Sequence, residues 1–354
     1  MDPDELRARR VANHRLGAAT FSNAPAVVAA LCAVQSQDFA GAMWAVAQRT
    51  ENVTKSDVTD AFTRGEIIRT HLLRPTWHFV AASDLEWMVR LTGPRLERAL
   101  SSNYRRLGLD DAEFARTDAI LADDLTGGIQ LTRPELMETL RRAGIDIDDP
   151  LRFTHISQHA EAVGLICSGA MRGRSHTCAL VRDRIPAGLS TYPSDPAQEL
   201  AQRYFLCHGP ATVRDFSWWS GLTLRECQLA IEASGSALSS TSSAGVTWWS
   251  SALEQPAPAL DDDVRLLANY DEYLVGYADR SALFDAKHTA QLDSRRNPLF
   301  THTVMAGGRI IGTWKRVSHR GRVTARVELF ERASRRTRDS VELAVQRYAD
   351  WAAS

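Results

Sequence analysis

The sequence lacks the patterns on which redox, metal and nucleotide chemistry usually depend. Its five cysteines, Cys32, Cys167, Cys178, Cys207 and Cys227, are odd in number, widely spaced and form no CxxC pair. We therefore expect reduced thiols, with neither a disulfide framework nor a zinc knuckle. No GxxxxGK[ST] loop, no GxGxxG and no GxSxG elbow occurs, which argues against nucleotide hydrolysis, dinucleotide binding and serine-hydrolase chemistry. We expect no metal and no cofactor, including no nucleotide cofactor.

Long apolar runs and lysines are also scarce. No stretch approaches the roughly 18 apolar residues of a membrane span, and the charged opening MDPDELRARR is unlike a signal peptide. We expect a cytoplasmic, nucleoid-associated protein without membrane contact. The lysines are Lys55, Lys287 and Lys315, and none is placed to form a Schiff base, which disfavours lyase chemistry. Because the formal net charge is −1, any basic DNA-binding surface must be local.

What the chain does contain is a repeated order of helices followed by strands. APAVVAALCAVQ, a segment beginning at Phe39 and SDVTDAFTRGE read as three helices, and IIRTHLL and RPTWHFV follow as two strands. Asp38 is placed to cap the second of these helices. Three helices followed by a hairpin is the order of a winged helix. The order recurs twice, with a period near ~90 residues.

The second and third copies carry their own helix and turn signals. Thr132 with Glu135, and Thr223 with Glu226, match capping boxes. AMRGRSHTCALVRDR predicts a strand, a basic turn and a strand, whereas a Ser-rich link and GVTWWSS supply only a weak third wing. The tail predicts a strand over VRLLANYDEYLVGY, a hairpin around Gly307-Gly308, and a closing amphipathic helix.

These patterns predict an α+β fold, mainly α with β wings, built from tandem winged-helix motifs and a small C-terminal β-rich subdomain. The expected divisions are 1–110, the first winged-helix unit; 111–190, the second; 191–258, the third; and 259–354, the β-rich subdomain with its hairpin and closing helix. The sequence predicts that the first unit carries the motif described next.

Gln35-Ser36-Gln37 is the sharpest candidate site. Asp38 begins a helix directly afterwards, so the motif lies at a helix–helix joint where the backbone is free to aim both amides into a cleft. Each amide offers one carbonyl acceptor and two N–H donors, which suits holding a water and a sugar without charge. The alternative is that the two glutamines only satisfy helix-end backbone groups.

Several segments of the chain resemble the AlkZ/YcaQ-like winged-helix DNA glycosylases. They are VANHRLGA, LCAVQSQD, MWAVAQRT, THLLRPTWHFV, LLANYDEYLVGYADRS and GRIIGTWKR, and together they span nearly the whole sequence. The resemblance implies a C-shaped scaffold of tandem winged helices with a catalytic glutamine, one spacer, then glutamine or aspartate. Gln35 and Gln37 match the branch with two glutamines, and the resemblance implies that they are the catalytic residues.

The implied chemistry is physically reasonable. A purine alkylated at N7 or N3 is cationic and leaves without a strong general acid, so the enzyme needs to position water and stabilise a positive sugar. We expect a monofunctional glycosylase that acts as a monomer on double-stranded DNA containing alkylated bases, including bulky or crosslinked lesions. The alternative is a non-catalytic winged-helix DNA-binding protein or transcriptional regulator.

Secondary candidates surround this motif. Asp38 adds negative charge if it does more than cap a helix. Asp271 and Glu272 could act as a base or hold a cation, although on a strand they would face opposite ways, and a structural role bonded to Arg280 or backbone is the alternative. His155 and His159 have an i, i+4 spacing that suits zinc but lack HExxH and a third ligand.

Basic clusters supply the candidate DNA contacts. Arg172 and Arg174 flank Gly173 in the second wing, where phosphate or minor-groove contact is natural. The late hairpin carries a second group that either enters a groove or protects a solvated edge strand: Arg309, Lys315 and Arg316, with Arg295, Arg296, Arg320 and Arg322 nearby.

Overall fold

The computed structural model describes residues 1–17, 21–186, 188–254, 259–260, 263–292, 298–319 and 322–354. Arg295, Arg296 and Arg320, which the sequence places beside the late hairpin, lie outside the described residues. The chain forms two compact units. Met1–Thr59 and Ala197–Ser354 together make a discontinuous unit, and Asp60–Pro196 makes a continuous unit. The division into four parts predicted from the sequence stays a prediction.

The described residues form an α+β fold in which helices alternate with small antiparallel sheets. The helices are α1 (Pro3–Asn13), α2 (Ala24–Leu31), α3 (Phe39–Ala47), α4 (Lys55–Arg64), α5 (Leu85–Arg106), α6 (Asp111–Asp124), α7 (Arg133–Arg142), α8 (Pro150–Ala162), α9 (Val181–Arg184), α10 (Pro196–His208), α11 (Val213–Ser220), α12 (Leu224–Ser234), α13 (Glu272–Val275) and α14 (Arg335–Ala353).

The strands are short, and three 3-10 turns (Gly235–Ala237, Ala286–Gln291 and Pro298–Phe300) join them to their neighbours. The strands are β1 (Val34–Gln35), β2 (Ile67–Leu72), β3 (Thr76–Ala81), β4 (Leu131–Thr132), β5 (Ile166–Ser168), β6 (Thr177–Leu180), β7 (Leu238–Ser243), β8 (Val246–Ser251), β9 (Val264–Leu267), β10 (Thr303–Ala306), β11 (Arg309–His319) and β12 (Arg322–Leu329). None of the helices in these ranges combines the length and apolarity of a bilayer span.

The continuous unit holds two small sheets against a helical core. Strands β2 and β3 form an antiparallel hairpin, and β4, β6 and β5 form a three-stranded sheet in that order. Helices α5 and α8 approach so closely that a Cβ on Gly93 would lie 2.1 Å from the carbonyl oxygen of Ala162. A larger residue at position 93 would therefore separate the two helices. The core around them is apolar, with Leu125, Leu140 and Ile156 fully buried.

Local signals in this unit are largely confirmed. Helix α7 begins after Thr132 with the predicted capping box to Glu135. The sequence Ser83-Asp84-Leu85-Glu86 also predicts a capping box, with Ser83 as the cap. That prediction is wrong, because Asp84 is the residue that precedes α5 and its side chain does not cap the helix backbone. Its carboxylate instead accepts the indole N–H of Trp87 at 3.0 Å, so a tertiary contact replaces the local cap.

The discontinuous unit ends in a four-stranded antiparallel sheet covered by one helix. The strand order is β12-β11-β10-β9, and the predicted hairpin at Gly307-Gly308 joins β10 to β11. Helix α14 packs Ala344 and Tyr348 against the buried Trp44 and Trp314, which confirms the predicted closing helix. The sheet thus positions the β9 end next to the N-terminal helices.

Two expectations in this unit need correction. The Ser-rich link is itself strand β7, and it pairs with β8 from Leu238↔Ser251 to Ser243↔Val246. The predicted strand through NYDEYLVGY ends at Leu267. Tyr270 has a φ of 59°, which breaks the extended run, and the Asp271 carboxylate then caps the short helix α13 by accepting the backbone N–H of Tyr273 at 2.9 Å.

Candidate active site

The Gln35-Ser36-Gln37 segment begins at the last residue of β1 and ends directly before the cap of α3. The predicted helix through Gln35 is too long: α2 ends at Leu31, and the next residue, Cys32, has a φ of 66° that turns the chain out of the helix. Asp38 caps α3 through its Oδ1, which accepts the backbone N–H of Gly41 at 3.1 Å. The motif is therefore held at both ends by regular structure.

The two glutamines differ in exposure. Gln35 is only 6% exposed and Ser36 is fully buried, whereas Gln37 is exposed. The sequence pattern had suggested that both amides open into one cleft, but only the Gln37 amide stands in solvent. Gln35 is enclosed by protein two residues earlier in the same segment.

Glu272 fixes the backbone at Gln35. Its Oε1 accepts the Gln35 backbone N–H at 2.8 Å, and its Oε2 accepts the indole N–H of Trp219 at 2.8 Å. His208 Nε2 lies 3.4 Å from the same Oε2. The carboxylate is 1% exposed, and a buried carboxylate is tolerated when each oxygen is hydrogen-bonded. Both oxygens of Glu272 are thus committed to holding neighbours.

Asp271 is equally buried and equally committed. It forms a two-pronged ion pair with Arg49, with contacts of 3.0 and 2.7 Å, and both side chains are almost completely buried. The guanidinium also donates to the backbone oxygens of His14 and Ala45. These contacts favour a structural role for Asp271 and Glu272 over a base or cation site. The partner is Arg49 rather than the expected Arg280.

A neutral polar layer continues below this pair. Burial, and then the neighbouring side chains of His208, Arg49 and Arg10, hold the pKa of His14 well below its ordinary value. The Tyr277 hydroxyl donates to the His208 carbonyl at 2.8 Å, and His14 Nε2 lies 2.9 Å from the same hydroxyl. His14 therefore carries its proton on Nε2 and donates it to Tyr277.

The sequence analysis named Asp38 as a secondary candidate but missed His302, which lies near it. His302 Nε2 lies 3.9 Å from Asp38 Oδ2, and the two side chains are 25% and 34% exposed. His302 Nδ1 accepts the backbone N–H of Asn269 at 3.0 Å. Burial lowers the pKa of His302, partly offset by the Asp38 charge. No motif marks His302 in FTHTV, because its role depends on where the sheet places the first residues of β10.

The second wing holds its two arginines differently. Arg172 is bound to the carboxylate of Glu135 at 2.7 and 2.9 Å and also donates to the Gln130 carbonyl. Arg174 is exposed, lines a cavity of about 410 Å³ with Arg69 and has no partner within the described residues. Arg174 is thus the wing residue whose charge remains available to a phosphate.

The late hairpin presents its three basic residues, Arg309, Lys315 and Arg316, to solvent. Along β11 the side chains alternate, so Arg316 shares a face with the buried Trp314 whereas Lys315 faces the other way. Burial raises the pKa of Tyr348, and the nearby charges of Arg316 and Asp38 act on it in opposite directions. Arg316 therefore lies on the same side of the sheet as the Asp38 region.

The histidine pair on α8 is engaged by carboxylates instead of arranged for a metal. His159 Nδ1 contacts Glu97 at 2.7 Å and its Nε2 contacts Asp118 at 3.4 Å. Although burial opposes it, these hydrogen bonds and charges raise the pKa of His159 to about 9. In the ranges that the structure describes, no cluster of three or more histidine, cysteine or acidic side chains is arranged to hold a metal ion.

Comparisons with known proteins place this arrangement among the DNA glycosylases. The family model described as "DNA glycosylase AlkZ-like" matches residues 28–351. Because the match spans most of the sequence, the chain belongs to the AlkZ-like DNA glycosylase family, a family of DNA-repair enzymes.

One curated relative is the interstrand DNA cross-link repair glycosylase of Streptomyces sahachiroi, which is 24% identical over 325 residues, covering 88% of this chain and 87% of the relative. Among solved structures, Streptomyces sahachiroi DNA glycosylase AlkZ matches with a TM-score of 0.79 at 20% sequence identity, over 100% of this chain and 97% of that one. The structural likeness establishes a shared fold.

Proposed function

We propose that the protein is a monofunctional DNA glycosylase that hydrolyses the N-glycosidic bond of N7- or N3-alkylated purines in double-stranded DNA. It belongs to the branch of the family with two glutamines, and Gln35 and Gln37 position the attacking water. The enzyme acts as a monomer. Its scaffold is a set of tandem winged helices with a C-terminal β-rich part, in the four ranges named from the sequence.

The observation that carries this proposal is the rigid mounting of the motif. Glu272 holds the Gln35 backbone N–H at 2.8 Å, and Asp38 anchors the next helix. Catalytic groups are effective when their supports fix them to within a fraction of an ångström. The exposed Gln37 then directs its amide at the substrate, while the buried Gln35 lies two residues earlier in the same anchored segment.

Neutral amides suit this reaction. An alkylated purine already carries a positive charge, so the bond to the sugar breaks without a strong general acid. The positive sugar that forms is stabilised by preorganised dipoles, and an amide carbonyl supplies one. Exposed cations are the candidate DNA contacts, and we assign this role to Arg174 in the wing and to Arg309, Lys315 and Arg316 on the hairpin. Arg172 contributes less, because Glu135 already holds it.

The test is release of base from a duplex containing N7-methylguanine, scored as abasic sites under single-turnover conditions. We expect Gln37→Ala to lower the rate by about 10²–10³-fold without changing the melting temperature, because the side chain is exposed. Gln35→Ala should lower the rate as well, with a small cost in stability. Gln346→Ala, on the exposed face of α14, is the matched control and should be unaffected.

A duplex with an interstrand crosslink, the substrate class named for the Streptomyces sahachiroi relative, tests whether bulky lesions are accepted. Equal affinity for intact, alkylated and abasic duplexes at one fixed salt concentration, together with no base release, would instead indicate a non-catalytic DNA-binding protein.

A further inference from the structure

Hydrolysis leaves one requirement that the two glutamines do not meet. The attacking water must lose a proton as its oxygen bonds to the sugar, and a side-chain amide does not take up protons near neutral pH. A carboxylate within reach would complete the site. Glu272 and Asp271 are excluded, because both are about 1% exposed and their oxygens already accept hydrogen bonds.

Asp38 has a carboxylate oxygen to spare. Its Oδ1 accepts the Gly41 N–H at 3.1 Å, whereas its Oδ2 makes no hydrogen bond to protein within the described residues. The side chain is 34% exposed and directly follows the exposed Gln37 in sequence.

His302 faces this free oxygen. Because Nδ1 accepts the Asn269 backbone N–H, the neutral ring carries its proton on Nε2, on the side of Asp38. The separation of 3.9 Å between Nε2 and Oδ2 is too long for a direct hydrogen bond and suits a single water bridging the two groups. The lowered pKa of His302 keeps this donor neutral near pH 7.

The space between these groups is shaped by Gly41. A Cβ at this position would lie 2.9 Å from Asn269 Oδ1 and 3.1 Å from Asp38 Oδ2. The Asn269 side-chain oxygen is buried and has no hydrogen-bond partner among the residues that the structure describes. Tyr348 from α14 lies close enough to Asp38 to be affected by its charge, and Arg316 from β11 acts on the same phenol.

We infer that Asp38 is the general base of the reaction and that His302 is a positioning residue that holds the water against it. The inference rests on the proposed glycosylase function and assigns a residue to its proton transfer. The bond between C1′ of the sugar and the purine nitrogen breaks, and its electron pair leaves with the base, which becomes neutral. The water oxygen bonds to C1′, and the released proton goes to Asp38 Oδ2.

Asp38→Asn tests the base with little change in structure, because asparagine caps a helix as well as aspartate does. We expect the single-turnover rate with N7-methylguanine duplex to fall by about 10²–10⁴-fold, with the melting temperature and duplex affinity retained. Asp110→Asn is the matched control. Asp110 caps α6 in the same manner, because it accepts the Glu113 backbone N–H at 2.8 Å. Its replacement by asparagine removes the same charge. Its rate should equal that of the wild type.

A second variant separates proton transfer from structure. Asp38→Gly keeps most of the capping preference and leaves room for a small carboxylate. We expect added formate to raise the rate of this variant at least tenfold above its rate in chloride at the same ionic strength. The rate of the wild type should rise with pH to a plateau, whereas that of Asp38→Asn should be flat. His302→Gln should lower the rate but keep its dependence on pH, because the Nε2–H that holds the water is lost while the carboxylate remains.

The outcomes are distinguishable. If the wild type releases N7-methylguanine and Asp38→Asn is equally fast, or if formate has no effect on Asp38→Gly, the assignment of Asp38 is overturned while the glycosylase function stands. If the wild type releases no alkylated base from any duplex, the proposed function itself fails and this assignment with it.

Discussion

The two units neutralise buried acidic groups with different partners. In the discontinuous unit, Asp271 is paired with Arg49 at 2.7 Å. In the continuous unit, the buried Glu161 is paired with His71 at 2.6 Å, and Glu97 contacts His159 at 2.7 Å. A guanidinium keeps its charge at every accessible pH, whereas an imidazole titrates near neutrality. The Asp271 pair therefore keeps its charges at every accessible pH, whereas the His159 pair loses its positive charge once the pH exceeds the raised pKa of that imidazole.

The largest expected effect comes from breaking the arginine pair. Arg49→Met leaves the Asp271 carboxylate buried and uncompensated, and we expect the free energy of unfolding of the discontinuous unit to fall by about 3–5 kcal/mol. Chemical denaturation followed by a probe in each unit measures it. Arg141→Ala removes the exposed pair with Glu138 in the continuous unit, and it should cause no measurable change. A similar loss in the free energy of unfolding for the two variants would contradict the special role assigned to the buried arginine pair.

The His159 pair predicts that stability depends on pH, which the arginine pair does not predict. The pKa of His159 is about 9 in the folded protein and about 6.5 when unfolded. A raised pKa contributes stability that is complete below pH 6.5 and is lost as the pH rises through 9. We expect this to remove roughly 2–3 kcal/mol from the continuous unit. Melting temperatures between pH 6 and pH 10 should fall in the wild type and much less in His159→Gln.

Glu272 and Glu161, one buried glutamate from each unit, are expected to differ in their effect on catalysis. Glu272 uses both oxygens, one for the Gln35 N–H and one for the Trp219 indole. Glu161 also holds a backbone N–H, that of His71, but through Oε2, which accepts the His71 ring contact as well. An amide in place of Glu272 would point its NH₂ group at a donor, whereas an amide in place of Glu161 can keep the accepting oxygen in place.

We therefore expect Glu272→Gln to lower the rate of base release by about 100-fold through misplacement of Gln35, and Glu161→Gln to leave it near that of the wild type. Single-turnover rates at saturating enzyme measure both. Equal rates for the two variants would show that the backbone anchor at Gln35 is irrelevant to catalysis.

The smallest effect is expected in the wing. Arg174→Ala should weaken duplex binding a few-fold and lower the slope of log affinity against log salt by about one. Arg172→Ala should do less, because its guanidinium already pairs with Glu135 at 2.7 Å. Titrations of labelled duplex at several salt concentrations measure both slopes. A larger effect at Arg172 would mean that DNA displaces the Glu135 contact.

Local sequence signals predicted much of the fold. The capping boxes at Thr132 and Thr223 and the glycine turn between β10 and β11 depend on residues close in sequence, and all three are confirmed. The cap at Asp38 was predicted in the same way and is confirmed. In each case the interaction energy is contained within a few residues, so the pattern alone is informative.

Contacts between distant segments were not accessible in this way. The strand predicted through Asp271 ends early because Tyr270 takes a positive φ and α13 packs into the core. His302 approaches Asp38 only because the sheet brings the start of β10 to the N-terminus of α3. The catalytic assignment of Gln35 and Gln37 came from family resemblance and stays a prediction. The burial of Gln35 was not foreseen, since it depends on Glu272.

The bond between Gln35 and Glu272 joins residues separated by 237 positions. On a ribosome that adds about 5–20 residues per second, the glutamine motif emerges some 10–50 seconds before its anchor has been synthesised. During that interval the nascent chain carries the motif without its support. The motif can therefore reach its supported arrangement only after Glu272 has been synthesised.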